Sequence, residues 1–143
     1  MIRTRGLRHI HLLVRSIDAS LRFYEAVFGC QELFREDELV FIRTPGTDDL
    51  ITLHEDAGSK EVGTSGGVRH FGFELVDVAD VDAAVRAVEA AGGLLIRRGE
   101  HDGGTVFAYV EDPDGYVIEL DALTPDRGLG RQERPRPRTR SAA

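Results

Sequence analysis

The sequence predicts an α+β domain built from two copies of one βαβββ unit. Three observations predict it. Leu7-Arg8-His9-Ile10 and Val68-Arg69-His70-Phe71 are the same phrase, 61 residues apart. Each phrase opens a run of alternating polarity, followed by a helix-like segment and short strand-like runs. The closing runs also match: Leu39-Val40-Phe41-Ile42 with Thr105-Val106-Phe107-Ala108, and Leu50-Ile51-Thr52-Leu53 with Val117-Ile118-Glu119-Leu120.

In the first copy, residues 7–14 place Ile10, Leu12 and Val14 on one face of a strand and His9 and His11 on the other. Residues 19–28 place Leu21, Tyr24 and Phe28 on one helical stripe, with Ser16 or Asp18 as N-cap and Gly29 as the stop. In the second copy Phe71, Phe73 and Leu75 share one strand face, and His70, Gly72 and Glu74 the other. The second helix carries Val81, Val85 and Val88, starts near Asp77 or Asp80 and ends at Gly92-Gly93. The turn Asp112-Pro113-Asp114-Gly115 precedes the last strand. The modules run from about 6 to 57 and from 67 to 124, joined by the Gly- and Ser-rich stretch Asp56–Gly67. Residues 1–124 then form a single domain, and the basic, Pro- and Arg-rich residues 125–143 are expected to be flexible.

Composition sets the outer limits. The chain has 143 residues, 41% hydrophobic and 30% charged, as an ordinary globular domain does. The net charge is −7; the tail from Thr124 carries six arginines against Asp126 and Glu133, a net +4, which leaves −11 for the body. An acidic body argues against nucleic acid as a partner. No apolar run is long enough to span a membrane, and the basic N-terminus lacks a signal-peptide core, so a cytoplasmic location is the default expectation. Cys30 is the only cysteine and reads as a small buried hydrophobe. No Gly-rich phosphate loop and no nucleophile elbow occurs.

The chemistry concentrates on His9, His70 and Glu119. Strand parity puts all three on faces that the helices do not cover. Two imidazoles and a carboxylate on neighbouring strands form a facial triad for a divalent ion and leave coordination positions open. The fold expected is therefore a concave mixed sheet around a metal cavity, with helices outside. Exposed sheet edges and short modules favour a homodimer; the modules then pair either within a chain or across the dimer, and in the second case His9 and His70 of one site belong to different chains.

The phrases HIHLLVRSIDASLRFYEAVFG, VRHFGFELVDVADVDAAV and YVEDPDGYVIEL resemble the vicinal oxygen chelate superfamily across residues 7–123. Its members include the glyoxalases, the bleomycin- and fosfomycin-resistance proteins and the extradiol dioxygenases. The resemblance implies a metal held at His9, His70 and Glu119 and a small substrate with adjacent oxygens. Glyoxalase I has a fourth ligand, a carboxylate, where this chain has Thr52. Fosfomycin thiol transferases have a Thr where His11 stands, and Lys and Ser in a loop that here reads Gly99-Glu100-His101-Asp102-Gly103-Gly104. Extradiol dioxygenases have a Tyr three residues before the Asp-Pro turn, as Tyr109 is here. Dioxygenase-like chemistry with Fe(II) is thus ranked first, with Mn, Ni or Zn as alternatives. A thiol transferase or lyase comes next, and a metal-free drug-sequestering protein after that. The resemblance gives Tyr109 a hydrogen bond to substrate, and His54 or His11 the protons; His101 reads as a surface residue.

Overall fold

A computed structural model describes residues 2–4, 6–101 and 105–122; the basic tail lies outside the described residues. The element order is β1 (Ile10–Val14), α1 (Ile17–Phe28), β2 (Gln31–Glu36), β3 (Leu39–Arg43), β4 (Ile51–Glu55), β5 (Phe71–Glu74), α2 (Asp80–Ala90), β6 (Leu94–His101), β7 (Thr105–Glu111) and β8 (Val117–Ala122). This is the repeated βαβββ order. The strands form two four-stranded sheets of the same topology, β1-β4-β3-β2 and β5-β8-β7-β6. In each, the first strand runs parallel to the last and the other pairs are antiparallel. No described helix is long and apolar enough to cross a membrane.

Local chemistry accounts for the helix ends. Ser16 caps α1, its hydroxyl accepting from the Ala19 amide, and the Glu55 carboxylate accepts from the Ile17 amide at 2.7 Å. Gly29 stops α1 in the left-handed region, at φ 65°, where a side chain would be strained. Helix α2 begins at Asp80 behind an Asp77 carboxylate that accepts from the Ala79 amide.

Strand alternation is as expected. Leu12 and Val14 of β1, and Ile118 and Leu120 of β8, lie in the core under the helices. Val81, Val85 and Val88 of α2 are all buried. Two expectations need correction. The buried face of α1 is Ile17, Ser20, Phe23 and Tyr24, with Leu21 and Phe28 only partly covered. The stripe is rotated because α1 packs against module two as well as its own sheet. Phe28 stacks on Phe73 at 3.8 Å, and Phe23 reaches Gly93, where a Cβ would meet its ring at 2.9 Å. The internal match also shifts. Register sets Phe41 opposite Thr52 and Tyr109 opposite Glu119, so Leu39–Ile42 corresponds to 107–110, two residues beyond Thr105. The longer β6–β7 hairpin supplies the offset.

A polar clasp ties the modules together. Asp112, 3% exposed, accepts from the Asp114 and Tyr116 amides of its own turn and from the Tyr24 hydroxyl at 3.0 Å. Asp114, 8% exposed, accepts from the Ser20 hydroxyl, from the Arg15 amide and from the Arg15 guanidinium at 3.1 Å. The Tyr116 hydroxyl returns a bond to the Leu13 carbonyl at 2.8 Å. The linker crosses the same turn at Gly63, where φ is +74° and any Cβ would collide with the Asp114 carbonyl. Burial pushes the Asp112 carboxyl above the usual carboxylate range. Burial, and then Asp112 itself, push the Tyr24 phenol well above its ordinary value.

Tyr24→Phe leaves a buried carboxylate oxygen without its partner and is expected to cost about 1–3 kcal/mol in urea unfolding at pH 8. The fold holds the Tyr24 proton more tightly than the unfolded chain does. That stabilisation is complete below the unfolded value of 10.0 and is lost as pH rises through the folded value. The variant should therefore show a shallower alkaline loss of stability than the wild type. Cys30 is 6% exposed and its thiol is raised to about 11, chiefly by burial. A thiol reagent at pH 8 should modify it only as fast as the protein unfolds.

Candidate metal centre

Each sheet has one face under a helix and one face open, and the open faces carry the chemistry. In module two the register lines up two rows. Gly72, Glu119, Tyr109 and Arg97 form one; Glu74, Asp121, Phe107 and Gly99 form the next. His70 stands immediately before β5 and sends its Nε2 to Glu119 Oε2 at 3.0 Å. Gly72 lies directly opposite Glu119, and a Cβ there would press on the Glu119 carbonyl oxygen at 3.3 Å. The other carboxylate oxygen, Oε1, is 3.3 Å from His101 Nε2. Tyr109 stands directly opposite Glu119 across the β7–β8 ladder, and its ring centre is 5.1 Å from that of His70.

The site is part-buried and strongly patterned in charge. The Glu119 side chain is 19% exposed and that of His70 is 33% exposed. Asp121 is pushed above the carboxylate range by burial and then by Glu119 and Glu74, with His101 acting in the opposite sense. Tyr109 is raised by burial and then by the nearby Glu119 carboxylate, while Arg97 and Arg69 offset part of the shift. The Arg97 guanidinium lies 5.0 Å from the Phe107 ring centre and 5.6 Å from that of Tyr109, within cation–π range.

Module one is different. His9 is exposed just ahead of β1. It lines a shallow pocket with Phe71, Gly72 and Phe73 of β5, while His11 has His9 and His54 near it, its ring centre 5.5 Å from that of His54. His11 lies opposite Thr52, and His54 opposite Leu39. Thr52 is 2% exposed, covered where its counterpart Glu119 is open. The His11 imidazole is lowered by burial, then by His54 and His9, which favours its neutral form. His54 faces outward near Glu38, at 4.0 Å. A cleft of about 430 Å³ runs between the modules, with His11 and Leu13 on one wall, His70 and Val117 on the other, and Arg69 at its rim.

The structure thus pairs His70 with Glu119 and sets Tyr109 beside them. It sets His11 beside His54 on module one, and His9 at the start of β1 facing β5. Among the described residues of one protomer, no three His, Cys, Asp or Glu side chains surround a single ion position. The His70–Glu119 spacing nevertheless fits two adjacent ligands of one ion, which stand about 3 Å apart when each bond is about 2.0–2.1 Å long. Sequence reasoning missed the Arg97 stack; it set His101 at the surface, where its side chain is indeed 47% exposed, and missed its contact with Glu119. The one legible signal for His101 was its place at a strand end before two glycines.

Comparison with known proteins now decides the family. The description Glyoxalase/Bleomycin resistance protein/Dioxygenase superfamily matches residues 6–120. The chain belongs to that superfamily. It is 36% identical to the lactoylglutathione lyase of Haemophilus influenzae, over 85% of this chain and 96% of that one. It is 35% identical to a probable lactoylglutathione lyase of Vibrio parahaemolyticus, over 78% and 86%. Among solved structures, a glyoxalase-related enzyme from Fulvimarina pelagi superposes with a TM-score of 0.69 at 25% identity, covering 83% of this chain and 88% of that one. The fosfomycin resistance protein FosX of Listeria monocytogenes also gives 0.69, at 24% identity over 88% and 98%, and shares the fold. With lyase relatives this similar over most of its length, the superfamily member described here is an enzyme.

Replacing Phe107, buried at 3% beneath Arg97 and His101, with Ala should cost about 3–5 kcal/mol in chemical unfolding, since it empties the floor of the open face.

Proposed function

We propose that this chain is a divalent-metal-dependent lyase acting on a small glutathione adduct of the lactoylglutathione type. The observation that carries the reading is the His70–Glu119 pair, poised at 3.0 Å in a chain whose relatives at 34–36% identity are lactoylglutathione lyases. Dioxygenase chemistry, ranked first from Tyr109, gives way, because none of those relatives is named for it. The preference for Fe(II) goes with it, and a divalent ion of unspecified identity is kept.

The metal would be held by His70 and Glu119 of one protomer and His9 of a second. Two observations favour the homodimer. Among the described residues of one protomer, His9 does not form an ion-holding group with His70 and Glu119. The outer strands β2 and β6 also expose Leu33, Phe34, Leu94, Leu95 and Ile96, between 39% and 63% accessible, as strands awaiting a partner do. A bound ion would act as a Lewis acid on two adjacent substrate oxygens. The residues do the rest. His11 lines the cleft in its neutral form, the form that accepts a proton from carbon, and is the better-placed base; His54 beside it can pass the proton on. Tyr109, neutral at working pH, donates to Glu119 or to substrate. Arg69 at the rim suits the carboxylates of a glutathione moiety.

Metal content by elemental analysis and lyase turnover of the same preparations test this. Wild type should carry roughly one divalent ion per chain; His70→Ala and Glu119→Gln should lose both the ion and at least 100-fold in kcat/KM. His11→Ala should keep the ion and lose roughly 100-fold or more in kcat. An active protein that binds no divalent ion would sink the reading.

A further inference from the structure

We propose that His101 is a positioning residue for Glu119: it holds one carboxylate oxygen so that the other is presented, beside His70, to the metal ion. The inference rests on the metal site proposed above. The two oxygens of Glu119 are divided between two imidazoles, Oε2 to His70 at 3.0 Å and Oε1 to His101 at 3.3 Å. With its proton on Nε2, His101 donates a charge-assisted hydrogen bond to Oε1. When an ion is bound, His70 would carry its proton on Nδ1 and offer Nε2 to the ion.

His101 is itself held in place. Its ring stacks on Phe107 at 4.1 Å with the planes 22° apart. Phe107 cannot retreat, because it is buried beneath Arg97 and faces Gly99, where even a Cβ would come within 2.8 Å of the ring. Tyr109 stands directly across the β7–β8 ladder from the same glutamate and limits the space open to it on that side. A glutamate on an open sheet face otherwise samples many rotamers, most of which point neither oxygen at the ion. Partners that fix a ligating carboxylate typically change metal affinity 10- to 100-fold when removed. Thr52, the counterpart of Glu119 in module one, offers no carboxylate to be positioned.

The test is Zn(II) affinity of the full chain, stripped of metal and measured by competition with a chromophoric chelator. Wild type, His101→Phe, His101→Gln and His70→Ala are compared. His101→Phe keeps a ring against Phe107 but removes the donor, and is expected to bind about 10- to 100-fold more weakly with an unchanged melting temperature of the metal-free protein. His101→Gln restores a donor and should recover most of the affinity. Wild-type affinity in His101→Phe, with His70→Ala defective, would overturn the role of His101 and leave the metal site standing. Equal losses in the Phe and Gln variants with lowered melting temperatures would also overturn it, as a folding effect. If wild type and His70→Ala bind alike, the metal site itself falls and this inference with it.

Discussion

Two buried carboxylates in one turn hold this protein together. Asp112 and Asp114 belong to module two, yet most of their side-chain partners lie in module one: Tyr24 and Ser20 on α1, and Arg15 at the end of β1. A buried carboxylate is costly unless its oxygens are satisfied, so these bonds fix how the modules meet with little tolerance. The apolar contacts follow the same seam. Phe28 stacks on Phe73, and Phe23 occupies the space that Gly93 leaves open. The cleft between His11 and His70 has its walls set by this joint.

The repeat is symmetric in backbone and asymmetric in chemistry. Both modules begin with a histidine just ahead of their first strand, and both carry a polar residue at the matching place on their last strand. In module two that residue is Glu119, part-buried, with His70 and His101 at its two oxygens and Tyr109 across the ladder. In module one it is Thr52, covered over and flanked by His11 and His54. One open face is thus a ligand platform, and the other supplies imidazoles. In the proposed site the two faces meet across a dimer, through the exposed outer strands β2 and β6.

Much of this was legible in the sequence, because the repeated phrase, the period changes and the stop signals are local. Ser16, Gly29 and the Val81-Val85-Val88 stripe read directly as a cap, a stop and a buried face. His70 and Glu119 were legible as partners through parity and resemblance. What escaped depends on contacts distant in sequence. Phe23 is buried only because α1 also packs on module two. The two-residue offset between Leu39–Ile42 and its counterpart follows from hairpin length, which alternation cannot reveal. The bond between His101 and Glu119 spans 18 residues and depends on a ring, Phe107, whose burial on an open face no pattern signals.

The central claim is that one metal site draws on two copies of the chain. The most direct measurement mixes two inactive proteins, His9→Ala and His70→Ala, by co-expression or by unfolding and refolding together. Each homodimer has both sites broken. A mixed dimer has one site with both histidines intact, so random pairing should restore bound metal and turnover to about one quarter of the wild-type level. A mixture no better than its parents, with mixed dimers shown to be present, would contradict the shared site and place all its ligands within a single protomer.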